Sequence, residues 1–353
     1  MVIDPFELGR VIAFLSLSFI IALFLTFSVL RILKKYRIEK RIRKDGSTPI
    51  YTDLHKHKEG TPTMGGVVIW GTVLFLTAIF TIVGRLFPEV IITISSVDIP
   101  LRDLDFLSRK DTYVPLGALF AAAFIGIADD VLDSFHSKGG MSVQRRLTLY
   151  TIIAAIVAWW FTFKLEFDTV AVPFVGDVFI GLWYFPFVIL VIVATSFSVN
   201  ETDGLDGLAG GIVGTSFISL GVIAFIQERF DLTVLIAVIV GALLAFVWFN
   251  VPPAKFFMGD TGSMSMGVML AIIALLTNSA LVLPLIGLVL VVESGSVLLQ
   301  MTSKKLFKKK LFQSTPIHHH FQAIGWPEHT IVMRFWIISA VAGGAGMVLM
   351  LTA

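Results

Sequence analysis

The sequence predicts an all-α integral membrane protein, and three observations carry that class. Of 353 residues, 56% are hydrophobic and only 15% charged, against about 25% charged in soluble chains. Mean hydropathy is +0.88. Long apolar runs recur along the chain, each close to the roughly 20 residues of helix that a bilayer core demands. Cysteine is absent, which excludes disulfides, Cys-ligated zinc and a thiol nucleophile. A formal charge of +2 is too small to point to nucleic acid as a partner.

Ten runs are expected to span, at about 11–30, 64–84, 113–128, 147–163, 180–199, 208–227, 232–250, 262–278, 280–300 and 335–352. The first reads as a span rather than a cleavable signal: it is long, only Arg10 precedes it closely, and no small-residue cleavage pattern adjoins it. Ahead of the second, T-P-T-M-G-G at 61–66 offers Thr61 or Thr63 as a helix cap and Pro62 as the helix start. V-I-I-T-I-S-S at 90–96 and T-V-A-V-P-F-V at 169–175 are short and β-branched, and either suits a small strand pair on the outer surface. Residues 261–292 carry no charge. As one helix they would reach about 48 Å, too long even for a tilted span, and Asn278-Ser279 supplies a polar turn that divides them. With that division, 20 of the 27 Lys and Arg residues fall in loops after odd-numbered spans. The excess of positive charge in cytoplasmic loops then places both termini outside. The chain is expected to form a single polytopic membrane domain over 1–353. The basic stretch at 31–58 and the lysine cluster at 304–310 read first as topology determinants and lipid headgroup contacts.

The acids gather on the cytoplasmic side: Asp129, Asp130 and Asp133 end the third span, Asp203 and Asp206 follow the fifth, and Asp260 precedes the eighth. Carboxylates clustered at a bilayer bind a cation or handle protons. Adjacent Asp129 and Asp130 lie about 100° apart on a helix, so they serve different partners. Asp203 and Asp206 share a face if their segment is helical. N-E-T-D-G-L-D-G-L-A-G-G at 200–211 is glycine-rich, which serves either close approach of a ligand to backbone amides or close helix packing. Asn250, Phe257 and Asp260 lie between two spans, where Phe257 is either a stacking platform for a nucleobase or an ordinary apolar contact. Histidines 318–320 are consecutive, a spacing that suits zinc poorly and phosphate oxygens better. Lys58, beside the expected start of the second helix, would hold an anion.

Taken in order, TPTMGG, the Asp-Asp pair of F-I-G-I-A-D-D, N-x-T-D-G-L-D-G-L-A, W-F-N with M-G-D-x-G-S, and P-I-H-H-H followed by G-W-P-E and R-F-W-I-I-S resemble the phospho-N-acetylmuramoyl-pentapeptide transferases, of the polyprenyl-phosphate hexose-1-phosphate transferase superfamily. The resemblance runs from about residue 40 to the C-terminus. It implies ten helices around a cytoplasm-facing cleft, a homodimer, the bacterial plasma membrane and a requirement for Mg²⁺. It further implies transfer of phospho-N-acetylmuramoyl-pentapeptide from its UDP derivative to undecaprenyl phosphate, releasing UMP and forming lipid I of peptidoglycan synthesis.

By the same resemblance Asp260 coordinates Mg²⁺ with Asn200, Asp129 is the base toward undecaprenyl phosphate, and Asp130 supports the metal or its neighbour. Lys58, Asp203, Gly204, Leu205, Asp206, Asn250, Phe257 and Gln300 would bind the uridine nucleotide, and His318, His319 and His320 would lie near its phosphates. One-step transfer and a covalent aspartate route both stay open. The chain departs from the usual pattern at Arg146, where lysine is common, at Phe197, at Val131-Leu132-Asp133 after the Asp-Asp pair, and at Gly139-Gly140. Two alternatives stand beside this reading: a sister enzyme transferring GlcNAc-1-phosphate to a polyprenyl phosphate, and, from another class, an ion-coupled transporter, whose acids belong nearer the bilayer midplane.

Overall fold

The computed structural model describes residues 4–40, 56–94, 97–135 and 140–352. The central part of the basic stretch (41–55), Ser95-Ser96 and the first glycine of the Gly139-Gly140 pair lie outside the described residues.

The apolar runs form helices because nothing in them breaks the ladder, and side chains or backbone close the ends. Helix α1 (Pro5–Tyr36) starts with Asp4 accepting from the Phe6 amide at 2.9 Å and stops where Arg37 turns left-handed. Then follow α2 (Gly66–Leu86), α3 (Tyr113–Phe135) and α4 (Val143–Phe163), the last capped by Ser142. Next come α5 (Tyr184–Thr202), α6 (Leu208–Ile226), α7 (Phe230–Asn250) and α8 (Asp260–Leu276). A single turn, Leu283–Ile286, leads through Gly287 into α9 (Leu288–Leu306), followed by the short α10 (Ile317–Ala323) and α11 (Glu328–Thr352).

The protein is thus an all-α integral membrane protein; nine of the ten apolar runs each fall on one helix, while 280–300 falls on the Leu283–Ile286 turn and the first part of α9. Among the described residues, eight helices are long and apolar enough to cross a membrane. Helix α8 is shorter, at 17 residues. Helix α9 carries Glu293, Lys304 and Lys305. The last helix begins at Glu328, earlier than the apolar run suggests, because its charges have partners: Glu328 meets Lys58 at 2.5 Å and Arg334 stacks over Trp326 at 4.4 Å.

The two β-branched segments each form their own hairpin. Strand β1 (Ile91–Ile94) pairs with β2 (Val97–Pro100), and β3 (Thr169–Val172) with β4 (Gly176–Phe179), both antiparallel. Asn278, with left-handed φ 53, makes the predicted turn after α8 and holds the second hairpin, accepting from Ala171 N and donating to Asp177, both at 3.0 Å.

The expected cap of α2 is corrected. Neither Thr61 nor Thr63 caps it, and Pro62 sits in an isolated bridge with Glu39. The helix starts later, at Gly66, because the carbonyls of Phe257 and Met258 accept from the amides of Gly65 and Gly66 at 2.7 and 2.8 Å. The segment before α8 therefore anchors the start of α2, in space that only glycine leaves: a Cβ on Gly65 would lie 1.8 Å from the Phe256 ring.

Helix α8 is the centre of the bundle. Every residue from Thr261 to Leu276 is buried, against α3, α5, α2 and α6. Outer helices turn bulky apolar side chains such as Phe24, Phe124 and Ile156 outward, each about two-thirds exposed, as lipid contact requires.

Candidate active site

The site is built on the N-terminus of α8. Both oxygens of Asp130, near the end of α3, accept from its first amides, Asp260 N at 3.0 Å and Thr261 N at 2.9 Å. This satisfies donors that a helix start leaves open and places a carboxylate at the positive end of the dipole. Such proximity needs Gly126 one turn earlier, where a Cβ would lie 2.3 Å from Thr261 Cα. Asp129 points elsewhere, as the 100° step predicts, and accepts from Met141 N; Asp133 accepts from Gly140 N at 3.0 Å.

Asp260 is held between two donors. Arg146 Nη1 lies 2.5 Å from Oδ2, and Asn200 Nδ2 donates to Oδ1 at 2.8 Å and to Ser263 Oγ at 2.9 Å. Arg146 also reaches toward Asp129, its Nε 3.5 Å from Oδ2. These groups open onto a cavity of about 430 Å³ whose wall includes Asp129, Asp130, Asp133, Asn200, Asp203, Phe257, Asp260 and His319.

Asp203 and Asp206 do not share a face, because 203–207 is a turn between α5 and α6 rather than a helix. Asp203 lines the cavity. Burial raises its carboxyl to about 6; Lys40 opposes this, and the charges of Asp260 and Asp206 add to it. Asp206 turns the other way, into a buried cluster with Lys58 Nζ at 2.7 Å and Ala254 N at 3.0 Å. Glu328 completes the cluster, 2.5 Å from Lys58 and accepting from Asp206 N at 2.8 Å. Asn250 ties the same turn down, accepting from Gly207 N at 2.9 Å and donating to Phe256 O at 2.8 Å. Gly207 has φ 80, a left-handed value that favours glycine. Leu205 is buried in the core. Phe257 shows one face to the cavity, with the Lys40 ammonium 4.9 Å from its ring.

The histidines divide. His318 is fully buried, its Nδ1 2.9 Å from Glu293 Oε2. Burial lowers its imidazole to about 3, with Lys58 and Lys40 adding to the effect. His319 lines the cavity and is likewise held below the usual imidazole value by burial. His320 accepts from Gln313 N at 3.3 Å and does not line the cavity. Gln300 accepts from Leu311 N at 2.9 Å and Phe312 N at 3.1 Å and donates to Phe312 O at 3.0 Å, so it shapes the loop before the histidines.

Of the residues singled out from sequence, the structure thus brings Asp129, Asp130, Asn200, Asp203, Phe257, Asp260 and His319 to one cavity. Lys58, Gly204, Leu205, Asp206, Asn250, Gln300, His318 and His320 lie outside its lining. Three functional candidates were missed. Arg146 entered the sequence reading only as a departure from a pattern; Glu328 was seen only as part of G-W-P-E; Glu293 was passed over although a charged residue in an apolar run is itself a signal.

The residues fit a hard divalent cation. Asp129 Oδ2 is buried without a hydrogen-bond partner, and the side-chain donors on offer are chiefly carboxylate oxygens. No group of three or more His, Cys, Asp or Glu among the described residues converges to hold a metal unaided. Asn200 meets Asp260 with its amide nitrogen, so here it orients the carboxylate rather than adding an oxygen beside it.

Comparison with known proteins identifies the family. Residues 58–69 match the phospho-N-acetylmuramoyl-pentapeptide-transferase signature 1, and residues 112–278 match glycosyl transferase family 4. The chain is 35% identical to the phospho-N-acetylmuramoyl-pentapeptide-transferase of Chloroflexus aggregans, over 98% of this chain and 90% of that one. It is 34% identical to the protein of the same name from Clostridium perfringens, over 96% and 97%. A third relative of that name, from Bartonella quintana, is 36% identical over 87% and 85%.

Proposed function

The chain belongs to the phospho-N-acetylmuramoyl-pentapeptide-transferase family, and from that premise we propose that it transfers phospho-N-acetylmuramoyl-pentapeptide from UDP to undecaprenyl phosphate, releasing UMP. The observation that carries the reading is the convergence of Asp129 and Asp130 of α3, Asn200 of α5 and Asp260 at the start of α8, three different helices, on one cavity that also holds Phe257 and His319. The reaction exchanges one phosphoanhydride for another, so the protein's task is to gather crowded negative charge and align the attack. Mg²⁺, held at Asp260, would neutralise the pyrophosphate and polarise its oxygens. Asn200 and Arg146 orient the Asp260 carboxylate. Asp130 fixes the start of α8 and so the height of Asp260 in the cavity. Asp129, with one oxygen free of hydrogen bonds, faces the lipid phosphate and takes its remaining proton. That phosphate is already largely dianionic near neutral pH, so positioning contributes more than proton removal.

Phe257 stacks on uracil, and His319 donates to a phosphate oxygen. An apolar cavity of about 260 Å³ between α5 and the start of α9 takes the prenyl chain; its lining runs along α5 from Phe187 to Ser198, two residues short of Asn200. The site faces the cytoplasm of a bacterial plasma membrane, on the side favoured by the distribution of lysine and arginine. UMP release by purified protein with undecaprenyl phosphate, comparing UDP-N-acetylmuramoyl-pentapeptide with UDP-GlcNAc, each in Mg²⁺ and in EDTA, tests the reading. Mg²⁺-dependent release from the pentapeptide substrate alone is expected. Release from UDP-GlcNAc alone reassigns the chain to the sister activity.

A further inference from the structure

Glu293 sits inside the apolar stretch of α9 and is completely buried. A carboxylate in such a place is costly without a dedicated partner. Its partner is His318, also completely buried, with Nδ1 2.9 Å from Glu293 Oε2. The amides of Ile317 and His318, at the start of α10, face the same carboxylate. The far edge of the imidazole lies against Gly204: a Cβ there would be 2.1 Å from His318 Nε2, and Nε2 has no hydrogen-bond partner. A chain of contacts therefore runs from α9 through the imidazole to the Asp203–Gly207 turn, whose first residue lines the cavity.

We infer that Glu293 is a positioning residue: through His318 it sets the height of Gly204, and so fixes the turn that carries Asp203 beside the nucleotide. His318 on this account braces the turn from behind. This rests on the proposed use of the cavity by a uridine nucleotide. The geometry separates the brace from Asp260, since neither Glu293 nor His318 lines the cavity. Losing the brace should therefore weaken nucleotide binding far more than it slows transfer.

The test combines kinetics with amide hydrogen exchange of the peptide covering 203–208 in purified full-length protein. Glu293→Ala and His318→Ala are each expected to raise KM for the UDP-sugar by at least about tenfold with kcat within about threefold, a split that marks lost uniform binding. Both should speed exchange in that peptide about tenfold or more, and Glu293→Gln, which keeps the shape and a hydrogen bond, should restore most of both. Gly204→Ala should disturb the turn in the same way, and adding His318→Ala should relieve it, because the imidazole is what the new Cβ strikes. Unchanged exchange in Glu293→Ala, or additive rather than compensating effects of Gly204→Ala and His318→Ala, overturns the inference. A wild-type protein without turnover refutes the proposed function instead, and the exchange data still decide the brace.

Discussion

Arg146 spans two carboxylates: its Nη1 lies 2.5 Å from Asp260 Oδ2 while its Nε lies 3.5 Å from Asp129 Oδ2. A fixed cation thus stands where the proposed reaction needs a mobile one. Replacing Arg146 with alanine is expected to lower the half-saturating Mg²⁺ concentration, because Asp260 loses a competitor. Maximal turnover should fall on the order of 10²-fold, because Asp260 loses a group that orients its carboxylate. A Mg²⁺ titration of UMP release checks both; an unaltered Mg²⁺ requirement counts against the arrangement.

Asp203 gives a pH signature. Its folded-state carboxyl is raised to about 6 from the usual 3.8, with burial as the main cause. Ionising it in the folded protein therefore costs more than in the unfolded chain, so its contribution to stability is present at low pH and is lost as pH rises through about 4 to 6. Asp203→Asn removes that loss. The difference in Tm between the variant and the wild type should grow in favour of asparagine across this window and level off above it.

Lys58 lies buried against Asp206 at 2.7 Å and Glu328 at 2.5 Å. Removing the cation leaves the buried Asp206 carboxylate facing the half-buried Glu328, and breaking a buried pair from one side typically costs about 3–5 kcal/mol. Lys58→Ala should lower Tm markedly, with Glu328→Gln in the same background recovering part of it. If Lys58→Ala melts like wild type while losing nucleotide affinity, the lysine acts on the ligand directly.

Gly126 lets α3 touch α8, with no room for a Cβ 2.3 Å from Thr261 Cα. Gly126→Ala is expected to push Asp130 from the α8 amides and shift Asp129 against Asp260. A displacement near 1 Å at reacting groups costs on the order of 10²-fold in rate. Turnover at saturating substrates, measured beside a melting curve, separates that misplacement from unfolding.

Much of this was legible in the sequence, for a physical reason. Bilayer thickness imposes one length on every span, so the apolar runs locate the helices, and Asn278-Ser279 divides the longest charge-free stretch where α8 does end. The 100° step between Asp129 and Asp130 predicted their division of labour. What escaped was long-range satisfaction of polar groups. The carbonyls that start α2 come from residues nearly 200 positions later, so Thr61 and Thr63 look like caps when read locally. Asp206, Asn250 and Gln300 enter as nucleotide contacts only through the resemblance, and no local pattern shows that Asp206 pairs with Lys58 and Ala254 N while Asn250 and Gln300 bond backbone groups of neighbouring loops. Glu293 was hidden by its surroundings: hydropathy averages over a window, and one acid among apolar neighbours barely moves the mean.

Helix α8 buries every residue after Asp260 against protein. A segment of that kind gains nothing from entering a bilayer alone, since its small and polar residues, Gly262, Ser263, Ser265 and Gly267, suit protein neighbours better than acyl chains. It can settle only after α3 and α5 have formed the slot that receives it, and Asp260 rides on its tip. The Asp260 carboxylate is therefore in place only when α8 is packed among α2, α3, α5 and α6, which ties the site to the completeness of the bundle.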